Sequence, residues 1–349
     1  MYSGSLTKSL LKTFLKRFPK NSYTLMIQNI FRCKAAPFLI FAVATVVHAT
    51  APSSSSTQMQ PATGAPFVYS ASSIGSTGGN GNSADCGQST YDEGKPNDGS
   101  SGYAGGVITY TNTANGNNGS YLTGISLSST GGNGGNGGSG DWCYGGRGGG
   151  TGGVGGPINF TNGISTSNYP IFGLGNSGVI AVSAGGQGGN GGGTSSSSAS
   201  AGDGGLGGDG GSVAITSYGA INTSWTNAFG IYALSVGGSG GAAASNGNGV
   251  YGSGGDGKPG GTGGSVVITN FGVINTTSAY ALFGISVGGY GGSSGSNGGF
   301  VPAPNPDAGY GGPSGDVTII NYGSLTTNAD SSAAIVALSV GGGGGAGGY

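Results

Sequence analysis

An apolar run closed by Gly-Gly occurs five times in this chain, and the first glycine of each pair falls at 131, 185, 237, 288 and 341. The steps between them are 54, 52, 51 and 53 residues. So constant a spacing over five copies reads as one supersecondary unit stacked on itself. No single copy can bury its own apolar face, so the copies must shield one another.

The three clearest units begin Ser-Val-Ala-Ile-Thr-Ser-Tyr-Gly from Ser212, Ser-Val-Val-Ile-Thr-Asn-Phe-Gly from Ser265 and Asp-Val-Thr-Ile-Ile-Asn-Tyr-Gly from Asp316. Short Val, Ile, Thr and aromatic runs separated by Gly and Asn are the pattern of strands and turns. Between Val266 and Val287 this predicts three strands, at 266–270, 273–276 and 281–287, wrapped into one coil. Gly219, Gly272 and Gly323 each follow an aromatic residue, Tyr218, Phe271 and Tyr322, and precede a new apolar run. A corner with positive φ demands glycine there, because a Cβ makes that region costly. Stacked about 4.8 Å apart, the three aromatic residues form a ladder beside a Val/Ile core. The expected fold is all-β: a right-handed parallel β-helix of about five coils with long Gly-rich loop excursions. In those excursions, runs such as 131–138 have a second reading, as extended glycine helices of three residues per turn.

The 349 residues include 86 Gly and 13 Pro, yet only 6% are charged and 35% are hydrophobic. Collagen is excluded, since glycine does not recur strictly at every third position. Seven of the ten bases precede residue 35 and all eleven acids follow it. The segment 35–49 is an apolar run too short for a bilayer span of about 20 residues but suited to a signal peptide, with Arg32 and Lys34 on its flank. Cleavage is expected after Ala49. The product carries Lys95, Arg147 and Lys258 against eleven acids, a net charge of −8, which gives no basic footprint for nucleic acid. The expected organisation is a signal peptide at 1–49, a Ser/Thr/Pro/Gly-rich linker at 50–104 and the repeat region at 105–349.

The single histidine, His48, lies in the leader. That removes Ser-His-Asp hydrolysis and His-based metal sites from the exported part. Gly237-Gly238-Ser239-Gly240-Gly241 and Gly291-Gly292-Ser293-Ser294-Gly295 match a nucleophile elbow, but chance supplies such matches in Gly/Ser-rich sequence and no base activates either serine. Asp203 and Asp209 suggest a calcium-binding nonapeptide, yet they stand six residues apart rather than nine, and solvated loop aspartates are the favoured reading. No catalytic residue, metal or cofactor is expected. Cys86 and Cys143, 57 residues apart, are a candidate disulfide; two separate thiols are the alternative. Sequons at Asn118, Asn159, Asn222 and Asn275 carry little weight in so Asn-rich a chain.

The segments Asn270-Phe271-Gly272-Val273-Ile274-Asn275-Thr276, Gly284-Ile285-Ser286-Val287-Gly288-Gly289 and Gly230-Ile231-Tyr232-Ala233-Leu234-Ser235-Val236-Gly237-Gly238 resemble the passenger repeats of bacterial autotransporters of type V secretion. The likeness covers roughly 105–349, and the long leader also resembles that family. It implies an exported, surface or secreted passenger with an adhesive or structural role, a host-surface or glycan ligand, and an outer-membrane barrel in the full-length protein. Such a barrel needs amphipathic strands that this sequence lacks, so a truncated or partner-dependent passenger is expected. The alternative is a Gly-rich cell-wall or matrix protein without a packed core.

Overall fold

In a computed structural model, the chain divides into two units, Met1–His48 and Ala49–Tyr349. The described residues all lie in the second: 67–83, 95–113, 122–165, 169–173, 177–196, 198–225, 227–247, 252–277, 280–298, 305–328 and 332–348. They contain strands and no helix.

Every strand pairing is parallel, and strands stack in sequence order. One strand of each copy enters a five-stranded sheet: β2 (Ile108–Asn112), β4 (Ile158–Asn162), β7 (Val213–Ser217), β10 (Val266–Asn270) and β13 (Val317–Asn321). A ten-stranded sheet takes the others. Its first row holds the short strands β5 (Ile171–Gly173), β8 (Ile221–Thr223), β11 (Ile274–Thr276) and β14 (Leu325–Thr327). Its second row holds β6 (Val179–Ala184), β9 (Ile231–Val236), β12 (Leu282–Val287) and β15 (Ile335–Val340). β3 (Leu122–Thr130) joins both rows, pairing with β5 at Leu122 and with β6 from Ile125 onward. This arrangement is consistent with a parallel β-helix, and β10, β11 and β12 lie within a residue of the three strands predicted from the sequence.

Register sets like residues above like: Val266 pairs with Val213, Ile268 with Ile215 and Ile274 with Ile221. Alternate residues point inward, so Ile158, Val213 and Val266 form one buried column and Val179, Ile231 and Leu282 another. Each such side chain contributes about 1.5–3 kcal/mol on burial. The column ends at β15, where Ile335 is 44% exposed while Leu282 and Ile231 beneath it are fully buried.

Two corrections concern what lies between the strands. The segment expected as a linker, 50–104, contributes β1 (Phe67–Ile74), which pairs with β3. A strand that occurs once has no repeat to reveal it. The Gly-rich segments are also not structureless excursions. They form two rows, one of 75–83, 131–140, 185–193, 237–247, 288–298 and 341–348, the other of 95–106, 146–156, 202–211, 255–264 and 309–315. Within the first row Gly131, Gly134 and Gly137 donate to Ala184, Gln187 and Asn190 of the next copy. Between rows Gly132, Gly135 and Gly138 donate to Tyr103, Ser100 and Asn97, in descending order, so the two rows run antiparallel. A bond to each neighbour every third residue is the period of a polyproline II helix, which has no internal hydrogen bonds and needs lateral ones.

That lattice explains the composition. A Cβ on Gly135 would collide with the backbone of Gly79, and one on Gly134 with that of Gly150. Two of every three positions face a neighbouring backbone, so glycine fills most of them, with Arg147 and Lys258 as exceptions, and the third position is open to side chains. Gly219, Gly272 and Gly323 follow the same logic. They sit at bends, but Gly124 and Gly163 are the glycines with positive φ among the described residues. The corner glycines are required by close approach instead: a Cβ on Gly272 would meet Gly219, and one on Gly323 would meet Gly272.

Candidate binding faces

The third residue of each glycine turn points outward, and successive copies set these residues in columns. Along a segment they recur every ~9.3 Å, and between copies every ~4.8 Å. On the first row one column reads Asn80, Asn136, Asn190. Asn80 Oδ1 accepts the Asn136 N–H at 2.9 Å, Asn136 Oδ1 that of Asn190 at 2.9 Å, and Asn190 Oδ1 that of Ala242 at 3.0 Å. Each side-chain oxygen therefore satisfies an outward backbone donor. This face displays neutral amides.

The second row displays carboxylates. Its column reads Asp98, Gly148, Asp203, Asp256, Asp307, and Asp203 Oδ1 accepts the Asp256 N–H at 2.8 Å while Asp256 Oδ1 accepts that of Asp307 at 3.0 Å. Lys258 Nζ lies 2.7 Å from Asp203 Oδ2 and 3.9 Å from Asp256 Oδ2. Asp209 Oδ1 likewise accepts the Thr262 N–H at 2.6 Å. Asp203 and Asp209, weighed as calcium ligands from sequence, are thus backbone acceptors two turns apart on one segment. Among the described residues no group of three or more His, Cys, Asp or Glu is placed to hold a metal. Ser239 and Ser293, of the two nucleophile-elbow matches, occupy outward third positions on the first row, where Gly188 and Ala243 bond to their carbonyls.

The aromatic residues named from sequence do stack. Tyr218 and Phe271 have ring centroids 4.9 Å apart, and Phe271 and Tyr322 5.0 Å apart, with interplanar angles of 8° and 11°. A second column, Tyr69, Tyr110 and Phe160, packs against the core. Burial, and after it the Tyr69 phenol, pushes the Tyr110 phenol up to about 12. Burial also raises Tyr232, whose hydroxyl has no hydrogen-bond partner.

Two polar ladders escaped the sequence reading. Ser129, Ser183, Ser235 and Ser286 are fully buried, and each hydroxyl links the ten-stranded sheet to the second glycine row. Ser235 Oγ, for example, donates to Gly211 O at 2.8 Å and accepts the Gly264 N–H at 2.8 Å. Asn112, Asn162 and Asn270 are also fully buried; Asn112 Nδ2 donates to Asn162 Oδ1 at 2.7 Å, and Asn270 Nδ2 to Asn321 Oδ1 at 2.8 Å. Their signal was present as a polar residue at the same place in each copy, serine throughout the first ladder and asparagine in the second except at Ser217, whose Oγ accepts from Asn162 Nδ2 at 3.2 Å.

Cys143 is disulfide-bonded; its candidate partner Cys86 lies outside the described residues, as do Ala49 and Asn118. Of the other sequon residues, Asn275 Nδ2 donates to Asn222 Oδ1 at 2.8 Å, and Asn159 is exposed on β4. Compared with known protein families, curated proteins and solved structures, the chain matches none.

Proposed function

We propose that this chain is the exported passenger of an autotransporter-like protein, displayed on the cell surface or secreted, with an adhesive or structural role and no catalytic step. On this reading its strands form a right-handed parallel β-helix of about five coils, each extended by a pair of glycine helices. The observation that carries the proposal is the pair of ordered side-chain columns, amides on one row and carboxylates on the other. Side chains fixed in a grid by backbone bonds enter a contact with little conformational entropy left to lose, and repetition multiplies weak contacts into avidity. The host-surface or glycan ligand, the signal peptide and the outer-membrane barrel of a full-length protein belong to the same proposal.

A Gly-rich wall or matrix protein with no packed core is the second reading. The fully buried Ile158, Ile221, Ile268 and Leu282 weigh against it. The test is expression of the full chain in a bacterial host, followed by external protease digestion of intact cells and N-terminal sequencing. A surface-accessible or secreted product beginning at Thr50 supports export. A chain retained in the cytosol with its leader intact sinks it.

A further inference from the structure

The carboxylate column of the second glycine row has one gap. At Asp98, Asp203 and Asp256 a side-chain oxygen accepts the backbone N–H of the next copy, at 2.9, 2.8 and 3.0 Å. Gly148 occupies the remaining step and offers no side-chain acceptor, so among the described residues the Asp203 N–H has no hydrogen-bond partner. By the repeat, that N–H points to where a side chain on residue 148 would stand. Asp98, Arg147, Gly148, Ala201 and Asp203 line a notch of about 340 Å³ at this place.

Packing does not demand this glycine. A Cβ on Gly148 would lie 3.7 Å from Asp98 Oδ1 and 3.8 Å from Asp203 O, ordinary contacts, whereas one on Gly149 or Gly150 would collide with backbone. The copy that lacks the carboxylate also carries a base beside it. Arg147 stands where the equivalent residues are Asn97, Gly202 and Gly255, so no other of these copies has a base there. Its Nε donates to Pro96 O at 2.9 Å, and the residue lines the notch.

We propose that this notch binds the carboxylate of an acidic sugar, which takes the place that an aspartate side chain holds elsewhere in the column. One carboxylate oxygen accepts the Asp203 N–H, and Arg147 supplies the counter-charge. Neighbouring carboxylates stand together in this lattice beside a base: Lys258 Nζ lies 2.7 Å from Asp203 Oδ2 and 3.9 Å from Asp256 Oδ2, and Arg147 takes that part at the gap. Asp98 Oδ2, which has no partner among the described residues, accepts a ring hydroxyl, a donor that a sugar acid carries and an acidic side chain lacks. The same flanking aspartates repel a continuous polyuronate, so a single acidic residue within an otherwise neutral glycan is the preferred ligand. The inference deepens the proposed surface-binding role, and its biological use rests on that role.

The test is a titration of the ¹⁵N-labelled full chain with glucuronic acid, glucose and N-acetylglutamate, read at the Asp203 amide. The expected result is a saturable shift with glucuronic acid, none with glucose, and at least tenfold weaker binding of N-acetylglutamate. Gly148→Asp, which restores the column, abolishes the shift with glucuronic acid, and Arg147→Gln weakens it about tenfold. No saturable shift with glucuronic acid, an equal response to glucose, or binding undiminished in Arg147→Gln overturns the site. Equal affinity for N-acetylglutamate overturns the sugar assignment. Digestion of intact cells reads display and the Asp203 amide reads the notch, so the two proposals fail separately.

Discussion

Ser183 Oγ donates to Gly156 O at 2.9 Å and accepts the Gly211 N–H at 2.9 Å, so one fully buried hydroxyl fastens the β6 edge to the glycine segments of two successive copies. Ser183→Ala leaves a carbonyl and an N–H unpaired away from water, at a cost of about 1–3 kcal/mol. Chemical denaturation should show that loss. Ser339→Ala, at the exposed end of the same ladder, should cost much less, because water replaces its partner.

The glycine lattice predicts a sharp contrast between two alanine substitutions. Gly135→Ala drives a methyl group into the backbone of Gly79, and overpacking of this kind should cost about 1–3 kcal/mol. Gly148→Ala meets nothing closer than 3.7 Å and should be nearly neutral. Limited proteolysis of the two variants checks this: equal resistance would contradict the lattice.

Tyr232 is buried among Phe229 and Phe283, with its hydroxyl unpartnered. Tyr232→Phe removes a desolvated polar group while keeping the ring stack, and should stabilise by about 1–2 kcal/mol in a thermal melt.

The phenols also set an alkaline limit. Below pH 10 Tyr110 is neutral in folded and unfolded chains alike, so its contribution is fully present. Between pH 10 and about 12 the unfolded chain ionises first, because burial holds the folded group up, and stability falls across that window. Unfolding midpoints measured from pH 9 to 12 should decline less steeply in Tyr110→Phe than in the parent chain.

If Cys143 is joined to Cys86, the bridge closes a loop worth about 4 kcal/mol by the chain-entropy relation. Peptide mapping of the oxidised chain should recover the two cysteines in one cross-linked peptide. The Cys143→Ser variant should unfold at lower denaturant than the parent, and recovery of Cys86 as a free thiol in the parent would exclude the pairing.

Elements whose reasons are local could be read from the residues alone. A run such as Val266–Asn270 alternates because its own side chains must face a core, and the 51–54 residue step announces that copies stack, so β10 to β12 and the Tyr218, Phe271 and Tyr322 column were legible in advance. Tertiary structure decided everything that depends on a neighbour about fifty residues away. Gly135 reads as loop composition until the backbone of Gly79 is seen beside it, and Gly272 reads as a special φ until Gly219 is seen pressing on it. The same holds for polar residues: Ser183 and Asp203 are ordinary exposed types in a string of letters. Which carbonyl or N–H each one satisfies is fixed only when the copies are laid one on another, because backbone groups without internal bonds must find partners across the stack.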